Sequence, residues 1–207
     1  MTEISVEPRK RPVQARSKKT VEDILAGTAQ VLVARGYDES TTGAIAERAG
    51  VSIGTLYQYF PNKESLVEAL FQAHAADLLS AVDQALARSA DLPLEESVLA
   101  LVRAGLDAHR VNPELHKVLV EQVLNRGLLN HLDVSRTIQQ RIEGELRRRA
   151  PGLAVDKVRM TAFVLETCVE ALTHRAVVEA PDWLTSGMLE REATALLKPY
   201  FAAAIGS

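Results

Sequence analysis

Apolar residues recur along nearly the whole chain at the three- and four-residue spacing of helices buried on one face, and no run alternates apolar with polar as a half-buried strand does. Val21, Ile24, Leu25, Ala29, Leu32 and Val33 predict a first helix over 18–35, with Gly36 as its C-terminal cap because a left-handed backbone costs glycine little. A short second helix is predicted over about 43–49, N-capped by Thr42 and stopped by Gly50. Ser52 caps a third, Ile53 to Tyr59, which ends before Pro61. Asn62 caps a fourth, with Glu64 in the first turn, where the helix dipole favours an anion. This fourth helix runs from Lys63 to about Arg88; at ~1.5 Å per residue it reaches roughly 40 Å, enough to join two domains.

Five further helices are predicted at about 94–110, 113–126, 134–149, 155–179 and 186–204. Asn112-Pro113-Glu114 sets a cap and then proline at the first helical position, while Ala150-Pro151-Gly152 and Ala180-Pro181-Asp182 are breaks. The expected fold is all-α, with about nine helices. Its expected organisation is a basic arm at 1–15, a three-helix domain at 16–62 and a larger helical domain at 63–207.

A chain of 207 residues buries a sizeable core without a covalent staple, and its one cysteine, Cys168, excludes an intramolecular disulfide. No apolar run reaches the ~18 residues of a membrane span, and the polar N-terminus lacks a signal-peptide core, so a cytoplasmic protein with no membrane partner is expected. The net charge of −3 argues against indiscriminate coating of nucleic acid, yet the charge is uneven. Residues 1–63 carry nine Lys/Arg against seven Asp/Glu, and the remaining 144 carry fifteen against twenty. Pro8 to Lys19 holds six basic residues, Lys18 among them, and no acid; alone it reads as a solvated tail, and beside a DNA-binding element as an arm that meets phosphates.

Such an element stands close behind it in the chain. Two seven-residue helices joined by Ala49-Gly50-Val51-Ser52 make a helix-turn-helix, with Gly50 permitting the tight bend. Ile45, Ala46, Val51 and Leu56 can pack against the first helix, which leaves Ser52, Thr55, Tyr57 and Tyr59 for the outside. A helix bearing small hydroxyls and two tyrosines, with Lys63 after it, suits the major groove of DNA, where hydroxyls and phenols reach phosphates and base edges.

The ordered series of basic residues, amphipathic helix, Gly-Tyr, Thr-Thr, Ile-Ala, Ala-Gly-Val-Ser, Gly-Thr-Leu-Tyr, Tyr-Phe and Asn-Lys-Glu over residues 16–70 resembles the N-terminal domain of TetR-family transcriptional regulators. The resemblance implies an all-helical homodimer, usually a repressor, on double-stranded DNA with a palindromic operator, released by a small effector bound in the larger domain. It places Lys18, Thr42, Ser52, Ile53, Gly54, Thr55, Tyr57, Tyr59 and Lys63 at the DNA. Thr42 and Lys63 would hold phosphates, Thr55 and Tyr57 would meet mainly backbone, and Ile53, Gly54 and Tyr59 would approach bases. Gly43 stands where a longer side chain is common in the family. Two recognition helices must act together about 34 Å apart, so half-sites should lie near one helical turn apart.

In the larger half, the helices at about 155–179 and 186–204 are apolar over most of their circumference and are expected to form the dimer. Core packing accounts for Phe163, Leu165, Val169, Leu172, Leu189, Leu196 and Leu197. Glu166, Glu170 and His174, spaced four apart, share one face; a solvated stripe or intersubunit contact is the favoured expectation over a polar handle in a ligand cavity. Family pockets suggest Phe71, His74, Leu78, Leu106, His109, Cys168 and Glu170 as lining. Only Phe163, Trp183, Tyr200 and Phe201 of nine aromatic residues lie beyond residue 71, so an apolar effector is expected in preference to a caged quaternary ammonium.

The histidines and Cys168 show no tight zinc-ligand spacing, and neither metal nor cofactor is expected. No phosphate-cradling glycine loop or nucleophile elbow supports an enzyme. The alternatives are a large domain that serves oligomerisation or a protein partner with no small ligand, and activation in place of repression.

Overall fold

The computed structural model describes residues 15–110, 112–126 and 131–205. The expected arm at 1–15 lies outside these residues except at its last position. Among the described residues there are ten helices and no strand: α1 (Ala15–Glu39), α2 (Thr42–Arg48), α3 (Ile53–Tyr59), α4 (Lys63–Arg88), α5 (Leu94–Arg110), α6 (Pro113–Arg126), α7 (His131–Arg149), α8 (Val155–Glu179), α9 (Pro181–Thr185) and α10 (Met188–Ile205).

The differences from the predicted boundaries have local causes. Gly36, at φ +70° and ψ 176°, breaks the helical path near the end of α1 in an extended positive-φ conformation that glycine alone adopts readily, in place of the expected left-handed cap. The N-cap of α2 is Thr41 and not Thr42: the Thr41 hydroxyl accepts from the Ala44 N–H at 3.2 Å, and Thr42 becomes the first helical residue. The unpredicted α9 is one turn and a half opened by Pro181, too short for periodicity to reveal. Arg110 holds it by donating from Nε to the Leu184 carbonyl at 2.7 Å.

The described residues form two compact units. One comprises those up to His74 with those from Glu114 in α6; the other comprises Ala75–Pro113 and those from α7 onward. In the first, Ile24, Val31, Ile45, Ala46, Leu56, Phe60 and Leu66 form a buried cluster with Val51 packed against it. Gly27 of α1 permits close approach, since a Cβ there would lie 2.9 Å from the Ala49 amide nitrogen. Gly50, at φ +67°, then turns the chain towards α3.

In the second unit Val82, Leu106, Leu146, Val158, Leu165, Leu197 and Phe201 belong to one buried cluster, with α5 against α8 and α10 and α7 against α8. Arg149 braces the α4–α5 connection through the Ser97 hydroxyl and the carbonyls of Ser89 and Leu92. Two residues assigned to core packing are not in it: Phe163 is 52% exposed and Leu196 58%. Met160, Trp183 and Met188 are exposed as well, so α8 to α10 carry apolar surface that the single chain leaves open. No helix among the described residues is long and apolar enough to cross a membrane.

Candidate nucleic-acid interface and ligand cavity

The helix-turn-helix presents α3 through its caps. Ser52 accepts from the Thr55 N–H at 3.0 Å, and the two hydroxyls lie 2.8 Å apart. Asn62 Oδ1 accepts from the Ser65 N–H at 2.8 Å and so starts α4. Leu56 is fully buried, which fixes the rotation of α3 and turns Ser52, Ile53, Gly54, Tyr57 and Gln58 outward. Thr55 is half-buried beside them. The Thr42 hydroxyl and the Tyr57 phenol are 2.9 Å apart, so the start of α2 and the outer face of α3 are joined by a side-chain hydrogen bond.

Two positions depart from expectation or qualify it. Tyr59 is 8% exposed and belongs to the buried cluster of the first unit, so its placement on the outside is corrected. It lies three residues beyond Leu56, which puts it on the inward face. Lys63 is half-buried; its ammonium donates to the Tyr37 carbonyl at 2.7 Å and sits 4.1 Å from the centre of the Tyr37 ring. The Tyr37 phenol in turn donates to Glu64 at 2.9 Å. Lys18 is exposed on α1. Gly43 is exposed and meets only the Thr41 hydroxyl, at 3.9 Å from a Cβ placed there.

The second unit contains a cavity of about 80 Å³ bounded by α4, α5, α7 and α8. Of the expected lining, Leu78, His109 and Glu170 are there; Phe71, His74, Leu106 and Cys168 are not. Phe71 and Leu106 are buried core residues, and Cys168 packs half-buried against the cluster. His74 belongs to the first unit, where its Nε2 lies 2.9 Å from His116 Nδ1.

The stripe of Glu166, Glu170 and His174 lines the cavity, against the favoured reading of it as solvated. Opposite it, α7 supplies Val134, Ser135, Ile138 and Ile142, whose three- and four-residue spacing is the signal that points to this face. Glu166 is 6% exposed and accepts from Gln139 at 2.9 Å; Glu170 accepts from the Ser135 hydroxyl at 3.1 Å. Burial, and then the Glu166 charge, push the Glu170 carboxyl up to about 7, with Ser135 pulling the other way. His109 donates from Nδ1 to the Gly105 carbonyl at 2.5 Å, and its ring centre is 5.6 Å from that of His174.

Residues 24–70 match the family model described as "Bacterial regulatory proteins, tetR family", and residues 93–200 match "Tetracyclin repressor-like, C-terminal domain". The chain is 26% identical over 184 residues to the HTH-type transcriptional regulator BetI of Cronobacter sakazakii, covering 86% of this chain and 84% of that protein. It is 43% identical over 144 residues to the HTH-type transcriptional activator FasR of Mycolicibacterium smegmatis, covering 69% of this chain and 65% of that one. Among solved structures, the fatty acid degradation regulator FadR from Bacillus halodurans shares the fold with a TM-score of 0.69 at 20% identity, over 90% of this chain and 96% of that chain.

Proposed function

The chain belongs to the TetR family of DNA-binding transcriptional regulators, and from that premise we propose that it represses transcription as a homodimer on a palindromic operator and is released when a small effector fills the cavity of the second unit. The observation that carries the DNA-binding part is the outward face of α3, where Ile53 and Tyr57 are 44% and 41% exposed and Tyr57 is tied to Thr42 at the start of α2. Large side chains left open on a helix in this position are those that enter a major groove. The apolar surface of α8 and α10, with Phe163 and Leu196 open, supports the homodimer through these helices. The cavity supports a small ligand because it combines an apolar wall with a few convergent polar groups.

Footprinting of the full chain on the DNA upstream of its own gene tests this reading. A protected pseudo-palindrome occupied by two chains is the expected result, and sedimentation of Phe163→Glu should show monomers. A single chain bound without a repeat in the DNA would overturn it. The activator name carried by FasR makes the sign of regulation a separate question, read from a reporter behind the protected site in cells with and without the protein.

A further inference from the structure

The cavity walls carry the chemistry of the effector, provided that the cavity is the effector site proposed above. One side of the cavity is aliphatic, with Leu78, Val82, Ile138, Ile142 and Leu165. The other carries two carboxylates, Glu166 and Glu170, one turn apart on α8. The groups that face them are hydrogen-bond donors or imidazoles: Ser135 and Gln139 from α7, His109 from α5 and His174 from α8 itself, whereas α4 contributes Leu78 and Val82. No lysine or arginine lines the cavity among the described residues.

Two carboxylates facing one largely apolar space are satisfied by a proton held between them or by a cation. An anionic head would add negative charge beside the pair, and a neutral alcohol would leave the pair dependent on the shared proton. Among the described residues the lining has no Phe, Tyr or Trp, so a quaternary ammonium would find no aromatic face, whereas a primary ammonium has three N–H donors to offer carboxylate oxygens. We propose that the effector is an aliphatic primary amine whose ammonium sits between Glu166 and Glu170 and whose chain lies along the leucine, valine and isoleucine wall. This narrows the apolar effector expected from composition to one that carries an ammonium head. The ligand enters as the ammonium ion, and the proton held by Glu170 leaves to solvent, so charge and protons balance.

The test is titration calorimetry of the full chain at pH 7 with hexylamine, hexanol and hexanoate, in two buffers that differ in ionisation enthalpy. Hexylamine should bind about tenfold tighter than hexanol, the ratio that ~1.4 kcal/mol of charge pairing gives, and hexanoate more weakly than either. Binding of hexylamine should release about half a proton to the buffer, because a carboxyl raised to about 7 is half-protonated at pH 7. Glu170→Gln keeps a side chain that can meet Ser135 and leaves Glu166 as the one counter-ion; it should shrink the preference for hexylamine over hexanol and abolish the proton release. Thermal unfolding shows whether that variant folds, and if it does not, the proton count on the unaltered chain decides. Hexanol or hexanoate binding as tightly as hexylamine, amine binding with no proton released, or no binding by any probe would each overturn the amine assignment. The effector reading fails separately: hexylamine bound as described with operator affinity unchanged would remove DNA release and leave the amine site standing.

Discussion

The ammonium of Lys63 at the start of α4 donates to the Tyr37 carbonyl at 2.7 Å while lying 4.1 Å from the centre of the same residue's ring. A lysine held this way has already lost much of its conformational freedom, so the phosphate contact proposed for it would carry a lower entropy cost. Lys63→Ala should therefore act twice. Stability should fall by about 1 kcal/mol through the lost hydrogen bond and cation–π contact. The dependence of operator affinity on salt should lose about one unit of slope, seen in titrations at several ionic strengths. An unchanged slope would confine Lys63 to holding Tyr37.

Tyr57→Phe deletes the phenol that meets Thr42 at 2.9 Å and leaves the ring. With Tyr57 on the phosphate side, as the family resemblance implies, affinity should weaken by about 1 kcal/mol for every operator variant alike, because such a contact carries no sequence information. Binding measured on a panel of operator mutants would expose any sequence-dependent loss, which would move Tyr57 to the base edges.

Ile53 and Tyr59 separate along α3. Ile53 is 44% exposed and Tyr59 8% exposed, six residues apart but on different faces. Ile53→Ser should change which bases are preferred with little effect on melting. Tyr59→Ala should instead destabilise the fold by about 3–5 kcal/mol, as other large-to-small aromatic truncations in cores do. Paired melting and operator-selection experiments distinguish the two outcomes.

Glu170 makes stability depend on pH in a stated direction. Its carboxyl is raised from the ordinary 4.5 to about 7, so between those values the folded chain holds a proton that the unfolded chain has released. Stability from this group is full below 4.5, falls as pH rises through the interval and is level above about 7. The groups around it are Glu166 and His174 on α8, His109 on α5 and Ser135 on α7. Glu170→Gln should flatten that part of the melting-temperature profile; an identical slope in the variant would assign the dependence to other groups.

Gly105 and Val169 bring α5 and α8 together at the cavity wall. A Cβ on residue 105 would stand 2.9 Å from Val169 Cγ1, and a valine in a helix has little rotamer freedom with which to yield. Gly105→Ala should cost about 1–3 kcal/mol by overpacking. Combining it with Val169→Ala should restore much of that loss in a double-mutant cycle of chemical denaturation.

Every helix but the short α9, and the helix-turn-helix with them, was legible because the signals are local. Periodic apolar residues, Gly36 at the end of the α1 path, Ser52 and Asn62 as caps, and Gly50 in the turn each act through neighbours within a few residues. Of the residues that the family resemblance implies at the DNA, Ser52, Ile53, Gly54 and Tyr57 are exposed on α3 and Lys18 on α1, whereas Thr42, Thr55 and Lys63 are half-buried and Tyr59 is buried. The sequence alone could not decide where one face ends and the next begins. Tyr59 turned inward because Leu56 anchors α3, and the stripe on α8 turned towards Ser135 and Ile138 because α7 packs there. A polar stripe on one helix looks the same whether water or another helix covers it; only the long-range packing of α5 and α7 on α8 makes Glu166 and Glu170 part of a cavity and raises the affinity of Glu170 for its proton.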